Sequence, residues 1–531
     1  MLGAILPAVA EDRPLPGVGR VAAVEGGLAL RQGGQGGGEW SDSAVNEPVA
    51  AGMALRTPAR GRAALRIGAE TIALSGGSEA ELTQLDEGGT QLVLHRGRLG
   101  VRVSTLAPAR SIEIDVPRGG VWLLTPGDYD IVAGDKDTPT RIVVHDGRAR
   151  FVGSGLDTAI AAGSADVLRP GESSVSREDA VADDFTAWWR AASGPDEPEA
   201  LHHVSAEMTG YEALDGQGSW RNVAGYGAVW FPKASAEEWA PYRNGHWRWI
   251  QPWGWTWIDD MPWAFAPTHY GRWARIGEAD GLAPFEKPPE RWGWVPGKPG
   301  VAPVFAPALV AFLGTPGIGL SYPDAVGPAV AWFPLAPGEA YWPAYSSDPE
   351  MVRRINAASA PDAAAAGDTV DGRSSAVPGA IVNADYANRR FARAVPRTVF
   401  TGGRAVAPAL LQLPGRRLDN APLLAGSPQI APSPAAAADA ATRTAAARAT
   451  PHLRSAVLRK VAARKAVLRK VVARKVVQAR SRILRYHGPH RRGRVAGLRH
   501  AAAARHTHPS RHRIATATGK HARGHVRLAG R

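Results

Sequence analysis

The sequence contains no cysteine in 531 residues. That excludes disulfides, thiolate-held zinc, iron–sulfur clusters and cysteine nucleophiles. It leaves the compartment open, because a large core survives export without cross-links. No apolar run reaches the ~18–20 residues that a membrane-crossing helix needs. The G-x-S-x-G elbow, H-E-x-x-H, the Walker A loop and the EF-hand loop are all missing. Residues 33–38, Gly-Gly-Gln-Gly-Gly-Gly, open no helix and read as a flexible hairpin loop rather than a phosphate cradle. The expectation is therefore a chain that is not an enzyme and carries no cofactor and no metal site. Acidic side chains are absent from residues 440–531, which hold 25 Lys and Arg. Residues 1–439 keep 38 basic against 49 acidic groups, so the overall charge of +14 belongs to the tail alone.

Tryptophan is what the chain has in excess. Fourteen of its 18 tryptophans lie between Trp220 and Trp342. Trp247, Trp249, Trp253, Trp255 and Trp257 fall on odd positions. Period two is the strand period, so these rings share one face of a strand, or of two strands joined at Gln251-Pro252. Two echoes follow, Tyr270-Gly-Arg-Trp-Ala-Arg-Ile276 and Arg291-Trp-Gly-Trp-Val-Pro296. Residues 205–350 thus read as a small domain of short β-hairpins, with 351–405 as its extended tail.

The indoles have two uses open to them. One is core, each ring burying on the order of 200 Å². The other is a stacking surface, in which Trp247, Trp249, Trp253, Trp255, Trp257 and Trp273 lie beside Arg243, Arg248, Arg272 and Arg275 and hold sugar rings or a polyproline segment. Those six tryptophans are the candidate binding site. Asp259 and Asp260 are strand neighbours facing opposite ways, which suits a turn or a rim salt bridge to Arg248 or Arg272 better than an acid/base pair. His246 and His269, beside aromatics, read as hydrogen-bonded structural groups.

Residues 18–175 carry many short strand signals at close spacing, separated by Gly, Pro and Asp turns, which predicts a β-sandwich or β-roll. Residues 176–204 read as a linker. Within it Asp183-Asp-Phe-Thr-Ala-Trp-Trp-Arg190 fits a short amphipathic helix that Asp183 or Asp184 caps.

Six segments in order, residues 46–57, 61–67, 92–101, 112–121, 126–129 (Pro126-Gly-Asp-Tyr129) and 143–149 (Val143-Val-His-Asp-Gly-Arg-Ala149), resemble the FecR-like domain. The resemblance implies a β-rich periplasmic module of the iron-dicitrate-sensor type, which passes a receptor signal to a sigma factor. Signalling members carry a cytoplasmic segment and one membrane span before this domain. The chain starts at the domain, so fold and compartment are the expectation and anti-sigma activity is not. Over residues 205–405, motifs such as Pro252-Trp-Gly-Trp-Thr-Trp-Ile-Asp-Asp260 and Arg291-Trp-Gly-Trp-Val-Pro-Gly297 resemble a tryptophan-rich domain of unknown function that follows FecR-like domains in many Gram-negative bacterial proteins.

Residues 356–381 and 406–452 are rich in Ala, Pro, Gly and Ser and are expected to be disordered. Residues 453–487 lack Gly and Pro before His487 and repeat Ala456-Val-Leu-Arg-Lys460 as Ala466-Val-Leu-Arg-Lys470, which predicts a basic amphipathic helix. Arg459, Lys460, Arg464, Lys465, Arg469, Lys470, Arg474 and Lys475 are its candidate polyanion-binding residues. Residues 488–531 continue as a disordered Arg- and His-rich extension.

Residues 1–17 read as a leader. The apolar start, ending in Ala8-Val-Ala10, resembles the back half of a secretory signal peptide, without its basic n-region. The combined expectation is a non-enzymatic, exported, periplasmic protein that binds a glycan or an unknown envelope protein, with the tail touching anionic surfaces. A FecR-type regulator working through a membrane partner is the first alternative. A cytoplasmic nucleic-acid binder is the second, and nucleic acid is not an expected partner of an exported chain. Mass spectrometry of the native protein from separated fractions is expected to find a periplasmic chain beginning near Glu11; a cytosolic chain retaining Met1 contradicts export.

Overall fold

Residues 18–179 build a sandwich because their apolar side chains alternate along short strands. In Ser111–Val116 the inward positions are Ile112, Ile114 and Val116, and in Arg148–Gly153 they are Ala149 and Phe151. Period two gives each strand one dry face, and two such sheets close over each other. The computed structural model describes residues 16–433 apart from 34–37, 154, 196, 234–238, 278–289, 298–299, 318, 321–326, 358–385, 413–419 and 425. The leader at 1–15, most of the 356–381 segment, the helix expected at 453–487 with its eight basic residues, and the extension to 531 lie outside the described residues.

The first sheet of the sandwich has nine strands. Edge to edge they are Ser176–Asp179, Ser164–Leu168, Thr140–Val144, Gly127–Val132, Arg98–Val103, Glu70–Leu74, Arg62–Ile67, Gly19–Glu25 and Pro48–Val49. The second also has nine: Leu156–Ala161, Arg148–Gly153, Gly119–Leu123, Ser111–Val116, Gly89–Arg96, Glu79–Asp86, Met53–Arg56, Ala29–Gln32 and Ser41–Asp42. Pairing is antiparallel except between Ser111–Val116 and Gly89–Arg96. Val21, Leu65, Ile72 and Val101 of one sheet meet Leu82, Leu92, Ile114 and Phe151 of the other in one core. The protein is mostly β, as its sequence predicts.

The expected helix is α1, Asp184–Ala192. Asp183 is its cap, accepting a hydrogen bond from the Thr186 amide at 3.0 Å. α1 covers the outer face of the first sheet. Register places Ala64 opposite Ala73, and Ala73 opposite Gly100, so three neighbouring strands offer a row of minimal side chains. Trp189 packs with Ala64 and Ala73 and is fully buried. A Cβ on Gly100 would lie 2.3 Å from Trp189 Nε1, so glycine is required there by space rather than by backbone angle. Charge fixes the helix as well. Arg98 donates to Asp130 and Asp183, Thr186 Oγ1 donates to Asp130 at 2.8 Å, and Arg190 donates to Asp128 at 2.7 Å.

The second module follows; short hairpins form at 218–232 and 245–259 as expected, and other pairs join strands distant in the chain. A four-stranded sheet has the order Gly218–Val223, Gly227–Pro232, Glu290–Val295, Arg272–Gly277. Gly245–Ile250 and Gly254–Asp259 form a free-standing hairpin. A second four-stranded sheet runs Arg393–Pro396, Ala329–Pro334, Val310–Leu313, Leu423–Leu424. Short helices α2 (Phe265–His269), α3 (Pro349–Ala357) and α4 (Arg397–Thr401) fill between them.

Two expectations change here. The 351–405 tail is not merely extended: α3, the Arg393–Pro396 strand and α4 belong to the module. The segment expected to be disordered from 406 onward is packed to 433 in its described parts, with Leu424 and Ile430 buried. Average composition hid this, because a few apolar residues placed on a sheet edge and over an indole are enough to order a polar stretch. Among the described residues no helix is long and apolar enough to cross a membrane.

The modules share a seam. Arg20, 4% exposed, donates to Asn46 Oδ1 and to the Pro262 carbonyl, each at 2.9 Å, and to Glu212 at 2.8 Å. Asn46, in the left-handed region at φ 71°, donates onward to the Asp259 and Met261 carbonyls at 2.9 and 2.7 Å. Thr209 Oγ1 receives the Gly68 amide and donates to the Val18 carbonyl.

Gly100→Ala is expected to lower stability by about 1–3 kcal/mol through overpacking against Trp189. Most of that loss should vanish when the change is made in a Trp189→Ala background, since the two residues touch. Equal costs in both backgrounds, measured by denaturant unfolding, contradict the packing account.

Candidate functional site

The 245–259 hairpin places its indoles by register. Trp247 lies opposite Trp257 and Trp249 opposite Trp255, so all four share a face, as the odd positions predict. That face turns mostly inward. Trp247, Trp253, Trp255, Trp257 and Trp273 are buried to 2% exposure or less, and Trp249 alone of the six candidates is exposed, at 39%. The six-indole stacking surface is therefore corrected to one exposed ring over a core. The reason is supply: Phe312, Trp332 and Phe400 arrive from the second four-stranded sheet and α4 to cover Trp247, at 5.2–5.4 Å between ring centroids. Trp253 packs at a tilt on Phe305 at 4.6 Å, and Trp273 packs on Trp239 at 5.2 Å.

The buried N–H groups confirm the core role. Trp255 Nε1 donates to the Ile430 carbonyl, Trp273 to Pro267, Trp294 to Tyr270 and Trp332 to Tyr242, at 2.8–3.3 Å. A buried donor without an acceptor costs about 1–3 kcal/mol, which these four rings avoid, whereas the Nε1 groups of Trp239 and Trp247 are buried without a partner and those rings are held by packing. Tyr242 sits at the junction with a left-handed φ of 57°; its hydroxyl donates to the Thr268 carbonyl and accepts from the Leu309 amide.

Asp259 ends the hairpin. It accepts from Trp257 Nε1 at 2.9 Å and from the Met261 amide at 3.0 Å, and it makes no ion pair with Arg248 or Arg272. The expected turn role holds and the expected salt bridge is corrected, because both arginines are engaged elsewhere. Arg272 is buried and donates to the Gly271 and Glu339 carbonyls and to Asn356 Oδ1. Burial lowers its guanidinium to about 10. His269 is structural, as expected, with Nδ1 2.8 Å from the Ala306 carbonyl.

The hairpin meets the edge of the sandwich and leaves a groove of about 1090 Å³. Gln32, Trp40, Ser41 and Glu47 line it from the sandwich, and Arg248 and Trp249 from the hairpin. Two clamps set the spacing. Arg248 donates to Glu47 at 2.9 Å and to Ser41 Oγ at 2.7 Å, and Gln32 Oε1 accepts from the Gln251 amide at 2.9 Å. The Gln251–Pro252 peptide at the hairpin tip is cis. The guanidinium carbons of Arg31 and Arg56 lie 4.6 and 4.4 Å from the Trp40 ring centroid. Trp249 stands edge-on over Trp255 at 5.7 Å.

Residues 211–339 match a family of unknown function, DUF6600. The match covers most of the indole region and ends before the strand that carries Arg393. No curated protein matches the chain. Two crystal structures of a candidate anti-sigma factor from Parabacteroides distasonis are similar to it at 11% and 10% identity, each with a TM-score of 0.23. The similarity covers 26% of this chain and 63% or 64% of theirs, so the chain spans less than two thirds of those proteins. So slight a likeness carries no functional argument.

Sequence reasoning passed over the sandwich wall of the groove. Gln32, Trp40 and Glu47 lie some two hundred residues before their partners, and only the lone tryptophan after a glycine-rich loop hinted at them.

Burial pushes the Asp259 carboxyl up to about 7 and holds the His269 imidazole down to about 4. A raised carboxyl costs stability as pH rises from about 3.9 through 7, and a lowered imidazole costs stability as pH falls from about 6.5 through 4. Between pH 6.5 and 4 the two oppose each other. The melting temperature of Asp259→Asn is therefore expected to fall more steeply across that window than the parent's; parallel curves contradict the assignment.

Proposed function

We propose that this chain is a non-enzymatic, exported envelope protein that binds a glycan strand in the groove between its two modules. The observation that carries the reading is the exposed indole of Trp249, set in a groove that the half-buried Trp40 lines from the other module, with polar groups around both. Sugar rings present apolar C–H faces edged by hydroxyls. A flat aromatic face takes the first, and Ser, Gln, Glu and Arg side chains take the second. Trp40 is held in place by two guanidinium groups and Trp249 by Trp255, so little ordering entropy remains to be lost on binding. The basic segment 453–487 adds contact with anionic surface, which increases avidity without altering the groove.

A soluble N-acetylglucosamine oligomer is the probe. Trp249→Ala is expected to weaken its binding about tenfold, equivalent to ~1.4 kcal/mol, with no change in melting temperature. Trp247→Ala, in the core, is expected to cost about 3–5 kcal/mol of stability. Absence of calorimetric binding by the parent, or binding unaffected by both Trp249→Ala and Trp40→Ala, overturns the glycan reading and turns attention to a protein partner.

A further inference from the structure

Two arginines stand apart from every other buried or half-buried cation described above. Arg393 opens the edge strand Arg393–Pro396 and lies directly opposite Trp332. Residues directly opposite in an antiparallel pair share a face. Val395, two positions on, lies opposite Val330, and Val330, Val395 and Trp332 all enter the aromatic core. The Arg393 side chain therefore rises on the core side of its sheet. Trp332 Nε1 reaches the Tyr242 carbonyl at 3.3 Å, and Arg243 is the next residue along. The fold thus delivers two guanidinium groups from distant segments to one rim of the core.

Among the described residues neither has a counter-charge. Among the described residues no carboxylate, carbonyl or aromatic ring pairs with Arg243 or Arg393, and Arg243 Nε is buried without a partner. Arg20, Arg98 and Arg248, by contrast, each meet a carboxylate, and Arg272 is wrapped in neutral oxygens. Burial, and after it the like charge of Arg243, lowers the Arg393 guanidinium to about 10. Two like charges at a half-dry rim repel each other with little screening.

We propose that Arg243 and Arg393 form a binding site for a phosphate-type dianion. Each guanidinium is a planar fork of N–H donors matched to two oxygens of one anion, and Lys would not reproduce that geometry. Two cations are balanced by one dianion, whereas a carboxylate balances only one of them. Inorganic phosphate and a sugar phosphate monoester share this chemistry. The site stands independently of the groove and of the glycan reading.

The test is thermal unfolding of the full chain followed by tryptophan fluorescence, at fixed pH and at ionic strength held constant with chloride. Fluorescence reports the indole module rather than the basic tail. Inorganic phosphate is expected to raise the parent's melting temperature saturably by a few degrees, and Arg243→Gln and Arg393→Gln are each expected to abolish that rise. In chloride alone Arg243→Gln should melt no lower than the parent, because the repulsion is relieved; a merely structural arginine would be missed there. Glucose 1-phosphate saturating at lower concentration than inorganic phosphate identifies an esterified source, and the reverse order a free one. No saturable rise in the parent overturns the site, as does a rise that survives both substitutions. A rise produced equally by acetate overturns the dianion assignment, and this arm requires only the parent protein.

Discussion

Arg20 is the contact on which the joined structure depends. Its guanidinium bonds at once to the sandwich, through Asn46, and to the second module, through Glu212 and the Pro262 carbonyl. Arg66 approaches the same Glu212 at 3.7 Å. A buried carboxylate shared by two arginines resists loss of either, because each charge would be left uncompensated in a dry site. Asn46 extends the link to the end of the indole hairpin, so the hairpin, the seam and the groove share one set of fixed points.

The second module solves a packing problem with aromatic rings. It has many glycines and prolines and few long aliphatic side chains, so area must come from indoles. Indoles carry one donor each, and the irregular connections between its short strands supply carbonyls in unusual directions. Ile430, Pro267, Tyr270 and Tyr242 each give a backbone oxygen to a buried ring. Loop conformation and core are therefore coupled: the segment carrying Ile430 is ordered because Trp255 needs its carbonyl and its side chain fills the same site. Trp249 escapes this fate by sitting at the hairpin tip, beyond the reach of α4 and the second sheet, where it meets the wall carrying Trp40.

Charge is handled differently on the two sides of the seam. In the sandwich, acids and arginines form paired clusters around α1, and hydrogen bonds from Arg98 hold the Asp183 carboxyl far below the usual carboxylate range. In the indole module the buried groups are single: Asp259 against an indole and an amide, His269 against a carbonyl, Arg272 against carbonyls and an amide oxygen. Neutral partners satisfy hydrogen-bonding capacity without cancelling charge, so burial dominates and moves each group toward its uncharged form. Arg393 follows the same pattern, with no partner among the described residues.

The sequence by itself determined the strand character of both modules, the capped helix at Asp184–Ala192 and the shared face of the hairpin indoles. Each of these rests on local geometry: period two along a strand, an Asp before a helical turn, four odd positions on two paired strands. It also separated the acidic body from the basic tail by simple counting. It did not determine which side of the hairpin faced water, since a period assigns residues to a face without saying what covers it. Phe400 and Ile430, brought from more than a hundred residues away, made the indoles core, and only the tertiary structure decided that. The groove wall at Gln32, Trp40 and Glu47 and the meeting of Arg243 with Arg393 have the same origin. Both are products of packing between segments distant in the chain, and no spacing along the chain encodes them.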